Sequence, residues 1–540
     1  MSESPMTRLA DHVARELAAA GSTKMFGVPG GGNNLEVIGA AQRHGMKFVL
    51  AHTEYAAAVM AAVYGQLTGQ PTACVVTRGP GAAAVTNGIA QAQLDRQPLI
   101  VVADTVSVAD RARVPHQQLD QPSIFRSLVK ATLAVGAEPL DQDQLANALA
   151  LSASPPRGPV HLDVDVHAAP SDPIELPEIP EPADARIERV AGMIAASRRP
   201  VVLLGMGAVD AVDEIRRWVR GTRMPVLSSY RAMGVIPGAW PNHAGPFTGA
   251  TSEADLLEAA DLIVALGVDQ VELIPNPWGY SAPVVSLASW PERSSYFVAE
   301  EEVVGDLAAL LARMPENRGE GWPEAYGARR VKAARAVLMA DRTRTPQRVV
   351  ADVRRLAPGD SVATVDAGAH MLAALALWDT TDPHGILIST GLATMGFAVP
   401  AAIAAGLAGA GHVVCFVGDG GLSMVEAELE TIARLDLPIT VVVFNDSMLS
   451  LIAMKQAPEG QGGEAAVRYG PTDFAALARA HGLPGVAVGR DDDLEEVLRQ
   501  RFSESGPALI DVAVNSEDYR LVMSVTRGAP LIRPDDIGLD

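Results

Sequence analysis

The sequence predicts an α/β protein built from three doubly wound parallel sheets, and three observations carry that prediction. Short apolar runs recur along the chain, among them KFVLA, ACVVT, PLIVVAD, PVVLLG, MPVLSS, DLIVALG, VVCFVGD and ITVVVFN. Runs that are apolar throughout, separated by helical stretches, are strands buried on both faces of parallel sheets. The length of 540 residues is too great for one ordinary domain and suggests about three. Two breaks then divide the chain. Residues 169–183 (APSDPIELPEIPEPA) are rich in proline and acid and read as an extended linker, and residues 314–323 (MPENRGEGWP) precede a charged helix. The expected units are 1–168, 185–313 and 345–540.

The bulk properties narrow the function. With 48% hydrophobic and 20% charged residues, the chain can form large cores. Its net charge of −21 argues against nucleic acid or an anionic membrane as partner, because neither attracts an acidic surface. Cys74 and Cys415 each lie in an apolar run and read as buried thiols rather than a disulfide or metal pair. The N-terminus is patterned as an amphipathic helix, not a signal peptide. The longest apolar stretch, 396–411, is broken by Pro400 and several glycines and reads as the start of a buried helix. A soluble, cytoplasmic protein is expected. No short tandem repeat is visible. The charge run 491–501 reads as a solvated helix face with acids at its N-terminus.

The segment 413–446 (VVCFVGDGGLSMVEAELETIARLDLPITVVVFND) reads strand, glycine-rich turn, helix, strand. Asp419 follows the first strand, and Asn445 and Asp446 end the second. A βαβ unit of this length returns the chain to the same sheet edge, so two oxygen-donor residues arrive at one point. Mg²⁺ takes hard oxygen ligands, partly from protein and partly from phosphate. Gly418, Gly420 and Gly421 allow a tight turn and close approach to a phosphate, and the helix N-terminus adds N–H donors. A lone GDGG is also what an ordinary strand-to-helix turn looks like; the spaced ND pair makes it more.

This segment resembles the thiamine-diphosphate-binding motif, GDG followed at fixed distance by NN or a variant. The resemblance implies Asp419, Asp446 and the backbone carbonyl of Met448 as Mg²⁺ ligands. Asp446, where many members have Asn, is typical of the FAD-independent, catabolic acetolactate synthases.

Other segments resemble the same family in the same order. In 47–69 (KFVLAHTEYAAAVMAAVYGQLTG), Glu54 stands at a strand-to-helix junction. By itself it reads as a glutamate placed for the helix dipole; the resemblance makes it the carboxyl group that bonds to N1′ of the aminopyrimidine and favours its imino form, the base for the thiazolium C2 proton. GVPGGGNN (27–34), with Gly30, resembles the first unit's GxPG turn. TRGPG (77–81), with Gly79, Pro80 and Gly81, resembles the TSGPG loop near the cofactor, with Arg78 in place of Ser. VPHQQLDQPSIFRSLVK (114–130) resembles the stretch whose Gln faces the thiazolium, here Gln117. The His116–Gln117 pair is similar to catabolic acetolactate synthases and carboxyethylarginine synthase, which implies an active-site role for His116. Lys130 matches the Lys of a TK element, though a lone lysine also reads as a surface residue. Met395, in STGLATMGFAVP, matches the bulky residue wedged between the two cofactor rings. DAGAH (366–370) resembles a DVGQH strand end that meets the diphosphate; Ala369 replaces the Gln and His370 remains.

The resemblance implies three units: pyrimidine-binding, Rossmann-like central and diphosphate-binding. The RFDDR element associated with FAD is absent, and LGVDQVELIP stands in its place, so FAD is not expected. The implied cofactors are thiamine diphosphate and Mg²⁺. The implied reaction adds a 2-oxo acid, releases CO₂ and ligates the remainder to a second carbonyl. Simple decarboxylation, a synthase of the carboxyethylarginine type, and a non-catalytic homologue stay open. A homodimer or homotetramer is implied, with Glu54 of one chain meeting Asp419 of another. Substrate selection is assigned to the loop after Met448, whose Gly460, Gly462 and Gly463 suggest mobility before ligand binds, and to the C-terminal tail.

Overall fold

A computed structural model describes residues 4–107, 110–136, 142–168, 171–177, 181–273, 276–292, 295–341, 343–456, 463–504 and 506–528. Gly460 and Gly462 lie outside the described residues.

The first sheet comprises Lys24–Val28 (β1), Lys47–Leu50 (β2), Thr72–Val76 (β3), Leu99–Asp104 (β4), Ala131–Val135 (β5) and Pro159–Val164 (β6), in the spatial order β2-β1-β3-β4-β6-β5. The second comprises Pro200–Leu204 (β7), Val226–Ser228 (β8), His243–Pro246 (β9), Leu262–Leu266 (β10), Val284–Ala288 (β11) and Glu301–Val304 (β12), ordered β12-β11-β10-β7-β8-β9. The third comprises Val362–Val365 (β13), Ile386–Ile388 (β14), Val413–Gly418 (β15), Ile439–Asn445 (β16), Gly485–Val488 (β17) and Ala508–Ala513 (β18), ordered β14-β13-β15-β16-β18-β17. Every pairing is parallel. The central strands β3, β4, β7, β10 and β11 are buried at every position, as their unbroken apolar composition requires.

The first and third sheets share one strand order, although their sequences show no repeat. The second has the doubly wound order with its switch point between β7 and β10. Cys74 and Cys415 occupy the third strand of their respective sheets, both fully buried, and burial pushes both thiols up.

One apolar core spans the first and third units. Its centre is the helix Glu54–Thr68, whose residues Ala56 to Gly65 are all buried. A helix apolar on every side is covered on every side: one face lies on its own sheet and another packs on the helix Ala398–Leu407. Alanine on both helices permits the close approach. No helix among the described residues is long and apolar enough to cross a membrane.

Candidate active site

The first half of the site lies at the carboxyl ends of β1, β3 and β4. Thr53 caps the helix Glu54–Thr68 by accepting from Ala56 N at 3.1 Å. The buried Glu428 carboxylate accepts from His52 N (2.8 Å) and Thr53 N (3.3 Å), so a residue of the third unit fixes the entry to that helix. Glu54 is half-buried, and its Oε1 stands 3.3 Å from where a Gly81 side chain would begin. Gly30 lies directly against Thr77, leaving no room for a Cβ. Gly79 (φ 71°) is pressed on Gln117: a Cβ there would meet Gln117 O at 2.7 Å. Pro80 opens the helix Pro80–Ala84. Gly30, Gly79, Pro80, Gly81, Glu54 and Gln117 therefore form one surface. Buried Asp104 ties it together, accepting from Asn34 Nδ2 and Arg78 N, both at 2.8 Å. His116 stands exposed at its edge.

The second half lies at the carboxyl ends of β13, β15 and β16. Here a cavity of about 220 Å³ is lined by His370, Met395, Gly418, Asp419, Asp446 and Met448, among others. Asp419 Oδ2 accepts from Asp446 N (3.2 Å) and Ser447 N (2.6 Å), so the end of β16 is clamped to the start of the turn after β15. Its Oδ1 accepts from Gly420 N (2.8 Å) and from the Tyr469 hydroxyl (2.6 Å). Asp446 accepts from Met448 N at 3.1 Å and from the Ser450 hydroxyl. Burial raises the pKa of Asp419; burial, then the neighbouring charge of Asp419, pushes Asp446 up to about 6. Neither carboxylate has an ion-pair partner among the described residues.

Glycines shape the cavity floor. A Cβ on Gly420 would come 2.9 Å from Leu449 Cδ2 and Tyr469 Oη, and 3.4 Å from Met395 Cε. One on Gly418 would meet His370 at 3.3 Å, and one on Gly421 would meet buried Asp366 at 3.1 Å. Asp366 also accepts from Gly396 N (3.0 Å) and Ala398 N (3.2 Å), which holds the Met395 turn over Gly421. His370 stacks on Phe444 with centroids 5.3 Å apart. Burial takes its imidazole down to about 3, so the ring is neutral, and its Nε2 is buried without a partner.

The two halves meet within one chain at their rims: the Tyr55 hydroxyl donates to Met395 O at 3.2 Å, and Asn87 Nδ2 to Thr394 Oγ1 at 3.1 Å. Glu54 does not line the Asp419 cavity of its own chain. Gln117, Ala393 and Ser447, with φ of 56°, 53° and 55°, hold left-handed backbone in the loops of these two halves. Such backbone costs about 1 kcal/mol or more per residue and gathers at functional sites.

Three models of the thiamine pyrophosphate enzyme match the chain in order: the N-terminal TPP-binding domain over residues 7–124, the central domain over 187–314 and the C-terminal TPP-binding domain over 366–512. The chain belongs to the thiamine pyrophosphate enzyme family. Within this family it is acetolactate synthase-like. It is 28% identical to an acetolactate synthase of Bacillus subtilis (strain 168) over 95% of this chain and 94% of the relative. It is 29% identical to a catabolic acetolactate synthase of Raoultella terrigena over 95% and 96%. It is 30% identical to an acetolactate synthase large subunit of Parasynechococcus marenigrum (strain WH8102) over 92% and 85%.

As a thiamine enzyme the chain has two features that sequence reasoning missed. Tyr469 reaches Asp419 because Met448 and Arg468 form an antiparallel bridge that folds the loop back over the cavity; only pairing in space reveals it. Lys130 is half-buried and turned inward: its Nζ donates to Leu151 O (2.6 Å), Ser154 O (2.8 Å) and Pro156 O (2.8 Å).

At the turn after the first strand of the central unit a backbone N–H group is already bonded within the chain. Dinucleotides place their pyrophosphate on the N–H groups of such a turn. Here Glu272 Oε1 accepts from Met206 N at 2.8 Å, and its other oxygen accepts from the Ser229 hydroxyl. Glu272 belongs to the LGVDQVELIP run, so this run supplies the acceptor for that N–H group, and burial pushes the Glu272 carboxyl up to about 8. No FAD-dependent step is assigned.

Proposed function

We propose that the chain catalyses decarboxylation of a 2-oxo acid followed by carboligation, with thiamine diphosphate and Mg²⁺ bound between the two halves of the site. The observation that carries the reading is the clamp of Asp419 on the backbone of Asp446 and Ser447, which brings two carboxylates without an ion-pair partner to one glycine-floored cavity.

The donor set fits the implied groups. Paired buried carboxylates disfavour their own ionisation, and a divalent cation relieves that repulsion. Among the described residues no group of three or more His, Cys, Asp or Glu is placed to hold a metal. Two side chains with the Met448 carbonyl suit Mg²⁺, which keeps phosphate and water among its ligands. Gly418, Gly420 and Gly421 admit a diphosphate to the backbone, and the unpartnered Nε2 of His370 is available to it. Met395, which lines the cavity, would hold the cofactor there by apolar contact.

When bound, thiamine diphosphate supplies a carbanion equivalent that adds to a 2-oxo carbonyl and retains the electrons left by CO₂. Glu54 would hold the proton at the aminopyrimidine N1′, and Gln117 and His116 would face the reacting carbon. Because Glu54 does not line the cavity of its own chain, a homodimer or homotetramer with shared sites is part of the proposal. Incubation with pyruvate, thiamine diphosphate and Mg²⁺, followed by CO₂ measurement and product analysis, tests the reaction. Acetolactate is the expected product; acetaldehyde alone would support non-ligating decarboxylation, and no turnover of any 2-oxo acid would reject the proposal.

A further inference from the structure

We propose that a pocket beside Gln117 binds a second carboxylate of the substrate, so that the enzyme prefers 2-oxo acids with an acidic group at the end remote from the oxo carbon. This deepens the thiamine-dependent reading and rests on it.

The pocket, about 260 Å³, is lined by Arg78, Thr105, Arg111, Gln117, Gln118 and Asp120, among others. It shares Gln117 with the Gly79 contact and so adjoins the surface that carries Glu54. Two guanidinium groups line it with few partners. Arg78 stands 3.9 Å from Asp104 Oδ2, about one-third exposed, and its side chain makes no hydrogen bond among the described residues. Arg111 donates only through Nε, to Val106 O at 3.3 Å, which leaves both terminal nitrogens free among the described residues.

The carboxylates around them are otherwise engaged. Asp104 accepts from Asn34 and from Arg78 N. Asp120 caps a helix turn through Ser123 N and Oγ, at 3.2 and 2.6 Å. Asp163 accepts from Gln121 Nε2 at 2.8 Å, and burial pushes it up to about 7. Two guanidinium forks without a bidentate acceptor, in a cleft of an otherwise acidic protein, match the planar geometry of a carboxylate. The donor's own carboxylate leaves as CO₂, so on the donor a lasting carboxylate is one at the remote end. The acceptor's carboxylate, which acetolactate retains, is the competing occupant; loss of acetolactate formation from pyruvate in Arg78→Ser with no change in the diacid preference would assign the pocket to it and overturn the inference.

The test compares CO₂ release from 2-oxopentanedioate and 2-oxopentanoate, which have equal chain length and differ in the terminal carboxylate. The wild type is expected to favour the diacid in kcat/KM by about tenfold or more. Arg78→Ser should bring the ratio close to one through loss of the diacid's advantage; Arg111→Gln serves as the second variant. In parallel, unreactive pentanedioate is titrated calorimetrically into the wild type and both variants, and binding only to the wild type is expected. Arg78-dependent pentanedioate binding with no turnover of these oxo acids, of pyruvate or of any other 2-oxo acid would reject the thiamine reading and uphold the carboxylate pocket. Equal wild-type turnover of the two acids, or a preference that survives both substitutions, would overturn the inference.

Discussion

The Tyr469 hydroxyl donates to Asp419 Oδ1 at 2.6 Å, on an oxygen that also accepts from Gly420 N. Two hydrogen bonds fill the two lone-pair directions of that oxygen. A cation approaching it competes with the phenol, whose bond to a charged group is worth about 1.5–3 kcal/mol. Tyr469→Phe should therefore tighten binding of Mg²⁺ and thiamine diphosphate by roughly tenfold. Calorimetric titration of the cofactor pair checks this; weaker binding in the variant would show that the phenol orients Asp419 for the metal.

Glu54 and Asp419 belong to different halves of the site, which suggests a complementation experiment. Glu54→Gln and Asp419→Ala should each abolish CO₂ release. If sites form between chains, random reassociation of the two variants restores about a quarter of the wild-type sites, because half the dimers are hybrids with one intact site. Sites formed within one chain would restore none.

His161 is fully buried against Phe125, with ring centroids 4.8 Å apart, and neither ring nitrogen has a hydrogen-bond partner. Burial takes its imidazole down to about 3. The unfolded chain thus binds a proton there below the ordinary histidine pKa of about 6.5, and the folded chain does not until about pH 3. Stability from this group is present above about pH 6.5 and falls by about 1.4 kcal/mol per unit as pH drops below it. His161→Phe should raise the midpoint of thermal unfolding at pH 5 and do so less at pH 8. An equal change at both values would contradict the assignment.

Lys130 donates to three backbone carbonyls, those of Leu151, Ser154 and Pro156, of which Leu151 O also accepts from the Ser154 hydroxyl. Lys130→Met should destabilise the protein by about 2–4 kcal/mol, since buried acceptors lose a charged donor. Cofactor affinity of the folded fraction should stay unchanged. Urea unfolding and cofactor titration separate the two effects.

Much of the fold was legible because it rests on pattern. Unbroken apolar runs gave the buried strands around the sheet centres. Short edge strands such as β9 (HAGP) and β14 (ILI) escaped, since they carry too few apolar residues to show a period. The shared strand order of the first and third sheets was invisible because crossover geometry, not residue identity, sets it. The meeting of Asp419 and Asp446 at one sheet edge was legible from their spacing. Asp366, Tyr469 and the Gly79–Gln117 contact were not, because each depends on loops distant in sequence that fold onto one another.

The central claim is that Glu54 of one chain and the Asp419–Asp446 pair of another hold the same cofactor. A crystal structure with thiamine diphosphate and Mg²⁺ tests it most directly. The account predicts the metal on Asp419 and Asp446 oxygens and the Met448 carbonyl, with a Glu54 carboxylate from the partner subunit within hydrogen-bond distance of N1′. Cofactor bound elsewhere, or no Glu54 from either chain near the aminopyrimidine, would contradict it.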